Sequence, residues 1–462
     1  MKAGFAETDI TPRVGVQLFG FGPYINRIST GIRDPLGARA AVLEDNSGKR
    51  CVVIGCDLGC LPAEYVSLIR QEICRYIPGV AADDIMVCCS HTHSGPAVGN
   101  SDSGWGAPDL PYVEILPYKI ASSAIDAWKN LEEIHLSAAR VPCRHIGINR
   151  EYDIGNSSPL EEVLKEDWEP AHPELTDTEV LVIRCDGADG QLKGFFASFS
   201  CHPVVCCKET HLIHGDYPGV ALHQLMRQYP GSVGIFLQGA LGDVNTGCVH
   251  QAEQPSMLAL DIFASRFANA VRNGLEKARN NPVPEKISSY SKRIECSVRE
   301  AWDLEFLLEK EREFSAVLHR AEASDAGYDE RIAAVKLPGV RKMISDLKNG
   351  KKPVIPAEIH ALRIGSVELL GAPFEIMQAI KNEVIEKVNA PIPAVVGLAN
   401  GYNSYAPDRA LLAKTSGYAA TTAPFIVGQW PLEKIHDELV EAFIEADRKL
   451  FPELNSMKEK KQ

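Results

Sequence analysis

The sequence predicts an α/β fold in which a mixed β-sheet core is flanked by helices and carries an inserted helical hairpin. Three observations predict this fold class. A strand–helix–strand pattern spans 50–89, two apolar strands flank a turn over 179–198, and a charged helical pattern fills 302–349. A strand–helix–strand unit implies a parallel strand pair, whereas two strands joined by a tight turn are antiparallel. The sheet is therefore expected to be mixed.

The first part of the chain supplies the parallel unit. Strands are predicted over 39–44 and 50–57, joined by a turn at 46–48. Pro62 favours a helix start, and Pro78 and Gly79 end the apolar pattern that follows it. The next apolar run, 84–89, is typical of a buried strand. Loops at the carboxyl ends of parallel strands usually carry the site in α/β proteins, so we expect a site directly after this strand.

The remaining elements follow from the same patterns. Further strands are predicted over 134–141, 179–185, 192–198, 233–237, 286–298, 358–363, 367–370 and 395–398. Further helices are predicted over about 112–130, 219–228, 256–278 and 431–450. The segment 97–111 is expected to be a mobile loop over the site, and 153–173 a surface excursion. We expect the hairpin at 302–349 to pack by one stripe and otherwise to present a solvated face. The last residues, 457–462, are expected to be a solvated tail.

Composition narrows the class of protein. The 462 residues suggest two lobes or one large decorated domain, and the net charge of −13 argues against nucleic-acid and anionic-membrane surfaces. No apolar run is long enough for a transmembrane helix, and residues 1–9 lack the apolar core of a signal peptide. We therefore expect a cytoplasmic protein whose thirteen cysteines are reduced thiols without disulfides.

The loop after the strand at 84–89 contains a His-x-His pattern, His91 and His93. Residues two apart in an extended chain point the same way, so both imidazoles can face one cleft. One can serve as a metal ligand and the other as a proton donor or acceptor. The pattern is short and is also compatible with two polar residues in a turn.

Other predicted strands also end in a polar residue beside Gly or Pro. These residues are His202, Asp243, Glu375 and Tyr405. Zinc prefers nitrogen, oxygen or thiolate donors, and two histidines with a glutamate are a known catalytic set. No single element supplies all three donors, so spacing alone does not assign them, and His211 or His214 could replace His202. Asp57 and Asp243 are expected to brace the site.

Seven motifs in order resemble the catalytic domain of the neutral/alkaline, non-lysosomal ceramidases over about residues 3 to 430. The motifs are Asp9-Ile10-Thr11-Pro12, Ser90-His91-Thr92-His93-Ser94-Gly95-Pro96, Ile148-Asn149-Arg150, His202-Pro203, Leu241-Gly242-Asp243-Val244, Ala372-Pro373-Phe374-Glu375 and Ala399-Asn400-Gly401-Tyr402-Asn403-Ser404-Tyr405. The resemblance implies a ceramidase-like catalytic domain over 1–430, followed by a helix and tail over 431–462.

The resemblance also implies a zinc-dependent amidase that cleaves the N-acyl bond of ceramide. Its zinc ligands would be His91, His202, Glu375 and Tyr405, holding one ion. His93 would transfer a proton or stabilise an oxyanion beside the metal. Arg150 and Tyr418 would polarise the substrate. Alternatively, Arg150 could be a buried ion-pair partner and Tyr418 a core residue.

The chain departs from the ceramidase pattern at two points. Asn245 stands where these ceramidases place a functional serine, and the chain ends before their C-terminal β-sandwich. An asparagine cannot act as a nucleophile, although its amide can orient water or substrate. We therefore expect a zinc-dependent hydrolase of a small amide, ester or lactone, with ceramide the less favoured substrate. The alternatives are a non-catalytic metal- or ligand-binding protein and a metal-assisted isomerase or lyase acting on a sugar-like molecule. The sequence leaves the substrate and the oligomeric state open.

Overall fold

The computed structural model describes residues 1–99, 104–152, 159–165, 167–414 and 417–454. The strands are β1 (Lys2–Asp9), β2 (Gly31–Ile32), β3 (Gly37–Glu44), β4 (Arg50–Cys56), β5 (Ile85–Cys89), β6 (Glu132–Pro142), β7 (Gly147–Asn149), β8 (Glu179–Gly187), β9 (Leu192–Phe199), β10 (Leu212–Ile213), β11 (Val233–Gln238), β12 (Val244–Thr246), β13 (Ile287–Cys296), β14 (Ile355–Ile364), β15 (Val367–Gly371), β16 (Glu375–Ile376), β17 (Ile392–Val396) and β18 (Tyr405–Ala406). The helices are α1 (Ala63–Tyr76), α2 (Leu110–Lys129), α3 (Leu160–Val163), α4 (Asp216–Gln228), α5 (Glu253–Ala278), α6 (Leu304–His319), α7 (Tyr328–Lys348), α8 (Gln378–Lys387), α9 (Arg409–Ala413), α10 (Ala423–Val427) and α11 (Ile435–Leu450).

The largest sheet has eight strands in the order β11-β9-β8-β6-β1-β3-β4-β5. It is mixed, because β4 and β5 run parallel, as do β9 and β11, while its other neighbours are antiparallel. The sheet curls so that β4 lies against its far edge strand, β11. An added Cβ on Gly55 would lie 2.8 Å from the carbonyl oxygen of Phe236, so this close approach requires a glycine.

A second sheet has four strands in the order β13-β14-β15-β17, with β15 and β17 parallel. Its inner face shares one hydrophobic core with the eight-stranded sheet, in which Val53, Phe196 and Ile235 pack with Leu362 and Leu369. Burial of these side chains is the main force that holds the two sheets together. The sheets therefore bring the ends of their parallel pairs to a common region.

Helices cover the outer faces. Apolar residues of α1 and α2 pack on β3 to β5, and those of α4 and α5 pack on β8, β9 and β11. Helix α11 packs with α8 and β14 in one cluster that also holds the hairpin α6–α7. Among the helices of the described residues, none combines the length and apolar character that a membrane span requires.

The predicted α/β fold class is confirmed, with a mixed sheet, flanking helices and a helical hairpin near the predicted bounds. The hairpin packs on the rest of the fold by one stripe, whose buried residues lie mostly on α7. Helix α7 buries residues along most of its length, and a Cβ on Gly339 would overlap the carbonyl oxygen of Phe425 in α10. The charges of α7 therefore flank a tightly packed seam, while α6 buries only Leu307 and Phe314. Of the segments predicted to be irregular, 100–103, 153–158, residue 166 and the tail after 454 lie outside the described residues.

Candidate active site

Three parallel strand pairs end at one place and each delivers a polar side chain there. His91 follows β5, His202 follows β9, and Glu375 opens β16, directly beyond β15. All three side chains are buried, at 1% exposure each. His91 has a left-handed backbone, with φ of 69°, which turns the chain sharply at the end of the strand. The placement at carboxyl strand ends agrees with the sequence prediction.

The two imidazoles point the same nitrogen at the same carboxylate. Nε2 of His202 lies 3.0 Å from Oε2 of Glu375, and Nε2 of His91 lies 3.6 Å from the same oxygen. Nδ1 of His91 lies 2.6 Å from the carbonyl oxygen of Gly59, and Nδ1 of His202 lies 2.5 Å from that of Leu241. A carbonyl can only accept, so each Nδ1 carries the proton and each Nε2 presents a lone pair. This is the arrangement that metal-binding histidines adopt.

His93 completes a triangle of imidazoles. One ligand nitrogen from each of His91, His93 and His202 lies within 4.8 Å of the other two. Both ring nitrogens of His93 are shielded from solvent and lack a hydrogen-bond partner among the described residues. Its ring packs against Phe19 and Phe21, with centroids 5.3 and 4.9 Å away. Such a buried polar ring needs a partner, and a cation, water or substrate in the cleft would supply it.

The pKa shifts favour the charge states that a cation needs. Burial lowers the pKa of His91 and lowers that of His202 to about 4. Burial also lowers the pKa of His93 well below its usual value, with further lowering from the other two histidines. Burial alone would raise the pKa of Glu375, but His91 and His202 outweigh it and bring the value to about 2. At neutral pH the site thus holds neutral imidazoles and an ionised carboxylate, and its residues fit a divalent metal ion.

Two tyrosines hold the carboxylate. The hydroxyl of Tyr402 donates to Oε1 of Glu375 over 2.9 Å, and Tyr405 hydrogen-bonds both Glu375 and Arg150. Tyr405, which the ceramidase resemblance implies as a metal ligand, therefore lies beside Glu375. Tyr402 was not assigned a role from the sequence, although it lies within the Asn-Gly-Tyr motif.

Arg150 and Tyr418 form one wall beside Tyr405. The Arg150 guanidinium lies 5.3 Å from the Tyr405 ring centre and 5.8 Å from that of Tyr418, and Nη2 donates to the carbonyl of Gly242 over 2.6 Å. Burial would lower the pKa of Arg150, but Tyr405, Glu375 and Tyr418 raise it overall. Arg150 has no carboxylate within 4 Å among the described residues, and Tyr418 faces the cavity. The arrangement matches neither an ion pair nor a core tyrosine.

Asp57 and Asp243, which were expected to brace the site, both accept hydrogen bonds, and Asn245 lies on the cavity wall. Asp57 accepts from Arg39 over 2.7 Å, and Asp243 accepts from the Asn149 amide and the backbone of Gln378, each over 2.8 Å. Asp243 thus joins the strand before Arg150 to the segment after Glu375. Asn245 lines the cavity, and its buried Oδ1 lacks a partner among the described residues.

His211 and His214 do not join the cluster. Nδ1 of His211 lies 3.1 Å from the carbonyl oxygen of Ile28, on the surface of the fold. His214 lies with Cys206 and Asp216 in a separate buried group. All thirteen cysteines are free thiols in the structure.

The cluster opens into a cavity of about 830 Å³. Aromatic side chains form much of its wall, including Phe19, Phe21 and Trp105, and α7 contributes Tyr328, Ile332 and Lys336. Lys208 and His250 also line it. The sequence analysis did not find these residues, because no local pattern distinguishes a cavity wall from a surface. The glycine-rich segment 15–23 was the one signal available, since Gly20 lets the chain pass over His93.

Comparison with known proteins identifies the family of the chain. A model of the family "Neutral/alkaline non-lysosomal ceramidase, N-terminal" matches residues 1–258. Neutral ceramidase of Drosophila melanogaster is 24% identical over 279 residues, which cover 57% of this chain and 39% of the relative. Neutral ceramidase of Pseudomonas aeruginosa is 25% identical over 254 residues, covering 53% of this chain and 37% of the relative. The matched regions thus span about two fifths of these relatives.

The fold resembles the crystal structure of neutral ceramidase from Pseudomonas aeruginosa. The TM-score is 0.73 at 20% identity, and the alignment covers 98% of this chain and 75% of that one. The predicted ceramidase-like fold is therefore confirmed. Because the family model spans more than half of the sequence, including His91, His93, Arg150 and His202, the chain belongs to the neutral/alkaline non-lysosomal ceramidase family.

Proposed function

We propose that this protein is a zinc-dependent hydrolase that cleaves the amide bond of an N-acyl compound. One observation carries the proposal: the Nε2 atoms of His91 and His202 lie 3.6 and 3.0 Å from the same buried Glu375 oxygen. These donors sit at the floor of a cavity large enough for an acyl compound. The names of the relatives, neutral ceramidases, support an N-acyl substrate.

His91, His202 and Glu375 would hold the ion, with Tyr405 as a fourth ligand. When bound, zinc supplies a Lewis acid that lowers the pKa of water toward about 7. The carbonyl oxygens of Gly59 and Leu241 fix the two imidazoles, and Tyr402 fixes the carboxylate. These contacts keep the donors in place before substrate arrives.

The remaining residues act on protons and on the substrate carbonyl. His93 has two unpartnered ring nitrogens and a lowered pKa, so it is neutral at pH 7 and able to take a proton from water. Arg150 stays charged and shares a wall with Tyr418, so both can stabilise the negative oxygen that develops on the carbonyl. Asn245 cannot attack a carbonyl, which leaves water as the nucleophile.

The first test is metal content with a matched control. The purified protein should hold about one equivalent of zinc per chain, and His91→Ala or Glu375→Gln should lose most of it, since each removes a donor of a small set. His211→Ala is the control, because His211 lies outside the cluster. Elemental analysis that finds no metal in the wild type, or equal metal in all variants, contradicts the proposal.

The second test is hydrolysis. A panel of N-acyl amines, N-acyl amino acids, esters and lactones is incubated with the zinc-loaded and chelated protein. We expect amide cleavage that is lost on chelation and restored by zinc. If no member of the panel turns over under either condition while the metal is bound, a binding protein becomes the better interpretation.

A further inference from the structure

The charge of the cavity differs from that of the whole chain. The protein carries a net charge of −13. The described residues that line the cavity include three basic side chains, Arg150, Lys208 and Lys336, and one carboxylate, Glu375. That carboxylate is already committed to the histidines and Tyr402. A bound divalent cation would add to the positive excess.

Lys208 lines the cavity and lies six positions after His202 in the chain. Its ammonium donates to the hydroxyl of Tyr24 over 3.1 Å and lies 5.1 Å from the centre of that ring. The only carboxylate within 4 Å of it among the described residues is its exposed neighbour Glu209, at 3.9 Å. The tyrosine is neutral and the carboxylate is distant, so they compensate little of the positive charge of the ammonium. That charge can therefore still attract an anionic ligand.

Lys336 lies on α7, between the cavity and a neighbouring pocket that Phe314 and Glu313 also line. Its ammonium lies 5.4 Å from the centre of the Phe314 ring, and Glu313 acts on its charge, although no carboxylate oxygen is within 4 Å of it among the described residues. The side chain is half-buried, and that burial lowers its pKa. Keeping a lysine without an ion pair in such a place costs free energy, and an anionic ligand would offset that cost.

We infer that the substrate of this site carries a negative charge, such as a carboxylate. This inference rests on the proposed function and specifies its substrate class as an acidic N-acyl compound. The aromatic wall accepts the acyl chain, while Lys208 and Lys336, which both line the cavity, attract the acidic group. A neutral N-acyl compound would offer neither ammonium group an anionic partner.

The test measures binding with a probe that cannot be cleaved. The probe is the ketone isostere of N-octanoylglycine, with a methylene in place of the amide N–H, and its neutral partner is the primary amide of the same ketone. Titration calorimetry on the zinc-loaded protein should show the acid binding at least tenfold more tightly than the amide. The preference should shrink as salt is raised, since it is electrostatic.

Variants assign the preference to the lysines. Lys208→Met with Lys336→Met should reduce the tenfold preference below about threefold, and each single variant should lie between, which guards against a double variant that misfolds. Lys129→Met is the control, because Lys129 is exposed on α2 and paired with Asp126. A preference unchanged in the double variant would show that the metal or Arg150 alone reads the charge, and would overturn the inference.

Hydrolysis of N-octanoylglycine and its primary amide is measured separately. Equal binding of acid and amide, together with cleavage of both, overturns the anionic substrate while leaving the hydrolase intact. Preferential binding of the acid that depends on the lysines, without cleavage of any compound, supports the charge selection and removes the hydrolase. Failure to bind either probe also overturns the inference.

Discussion

The position of His93 depends on Gly20, and the substitution Gly20→Ala, which adds one methyl group, tests this dependence. Gly20 has φ of +84°, and a Cβ there would lie 2.2 Å from Nδ1 of His93. Real Cβ contacts stay beyond 3.0 Å, so the imidazole would have to move by at least 3.0 − 2.2 = 0.8 Å. A displacement of about 1 Å in a catalytic group costs about 10²-fold in rate. We therefore expect Gly20→Ala to lower kcat/KM by about that factor.

Gly15→Ala is the matched control. Gly15 lies in the same segment with φ of +94°, but its added Cβ would meet only the flexible Arg13 side chain, at 3.3 Å. Both variants place an alanine in a left-handed conformation, which costs about 1–2 kcal/mol of stability each. Only Gly20→Ala touches His93. We expect Gly15→Ala to keep kcat/KM within about threefold of the wild type.

The assay is hydrolysis of the best substrate from the panel, with metal content and thermal unfolding measured on each variant. If Gly20→Ala acts through His93, adding His93→Ala to it causes no loss beyond that of His93→Ala alone. Equal activity of the two glycine variants would refute the reasoning, because it would mean that displacing this imidazole has no effect. Additive losses in the double variant would show that Gly20 acts on some other group.

Three other predictions concern the site and the fold. His93→Ala should lower kcat by about 10²-fold with zinc still bound, and Asn245→Ala should cost less, because an amide only orients; steady-state kinetics and elemental analysis measure both. Burial and the adjacent Asp447 raise the pKa of Glu368 to about 9 from 4.5, so the folded state binds the extra proton and stability falls as pH rises between these values. Glu368→Gln should therefore flatten that fall and add up to about 3 kcal/mol near pH 7, measured by urea unfolding across pH; an unchanged pH profile would contradict the shift. Thiol titration of the denatured protein without reductant should give thirteen thiols, and a consistent shortfall of two would indicate a disulfide.

Local sequence was sufficient for most elements and for the polar residues at strand ends. Pro62, Pro78 and Gly79 bound α1 because proline and glycine act through the backbone alone, and the apolar run before His91 folds as a buried strand. The convergence of His91, His202 and Glu375 could not be read from the sequence. It depends on the order of strands in two sheets, which long-range packing decides.

The inner side of α7 shows why other site residues were missed. Its sequence is strongly charged, which is typical of a solvated helix, yet its Gly339 packs so closely on α10 that an added Cβ would overlap the carbonyl oxygen of Phe425. Lys336 and Tyr328 then face the cavity, although a lysine and a tyrosine on an isolated helix are expected to face water. The environment of such a residue is a property of the assembled fold.

The contact between His202 and Glu375 joins parts of the chain that are 173 positions apart. His202 comes from the eight-stranded sheet, whereas Glu375 follows a strand of the four-stranded sheet. Docking of the two sheets closes a long loop of chain, which costs entropy. A cation bound by both residues would stabilise the docked state. A fragment ending at residue 258, where the family model stops, contains both histidines but lacks the carboxylate. Affinity for the ion would therefore report whether the whole molecule has assembled, because the first 258 residues alone do not contain all three donors.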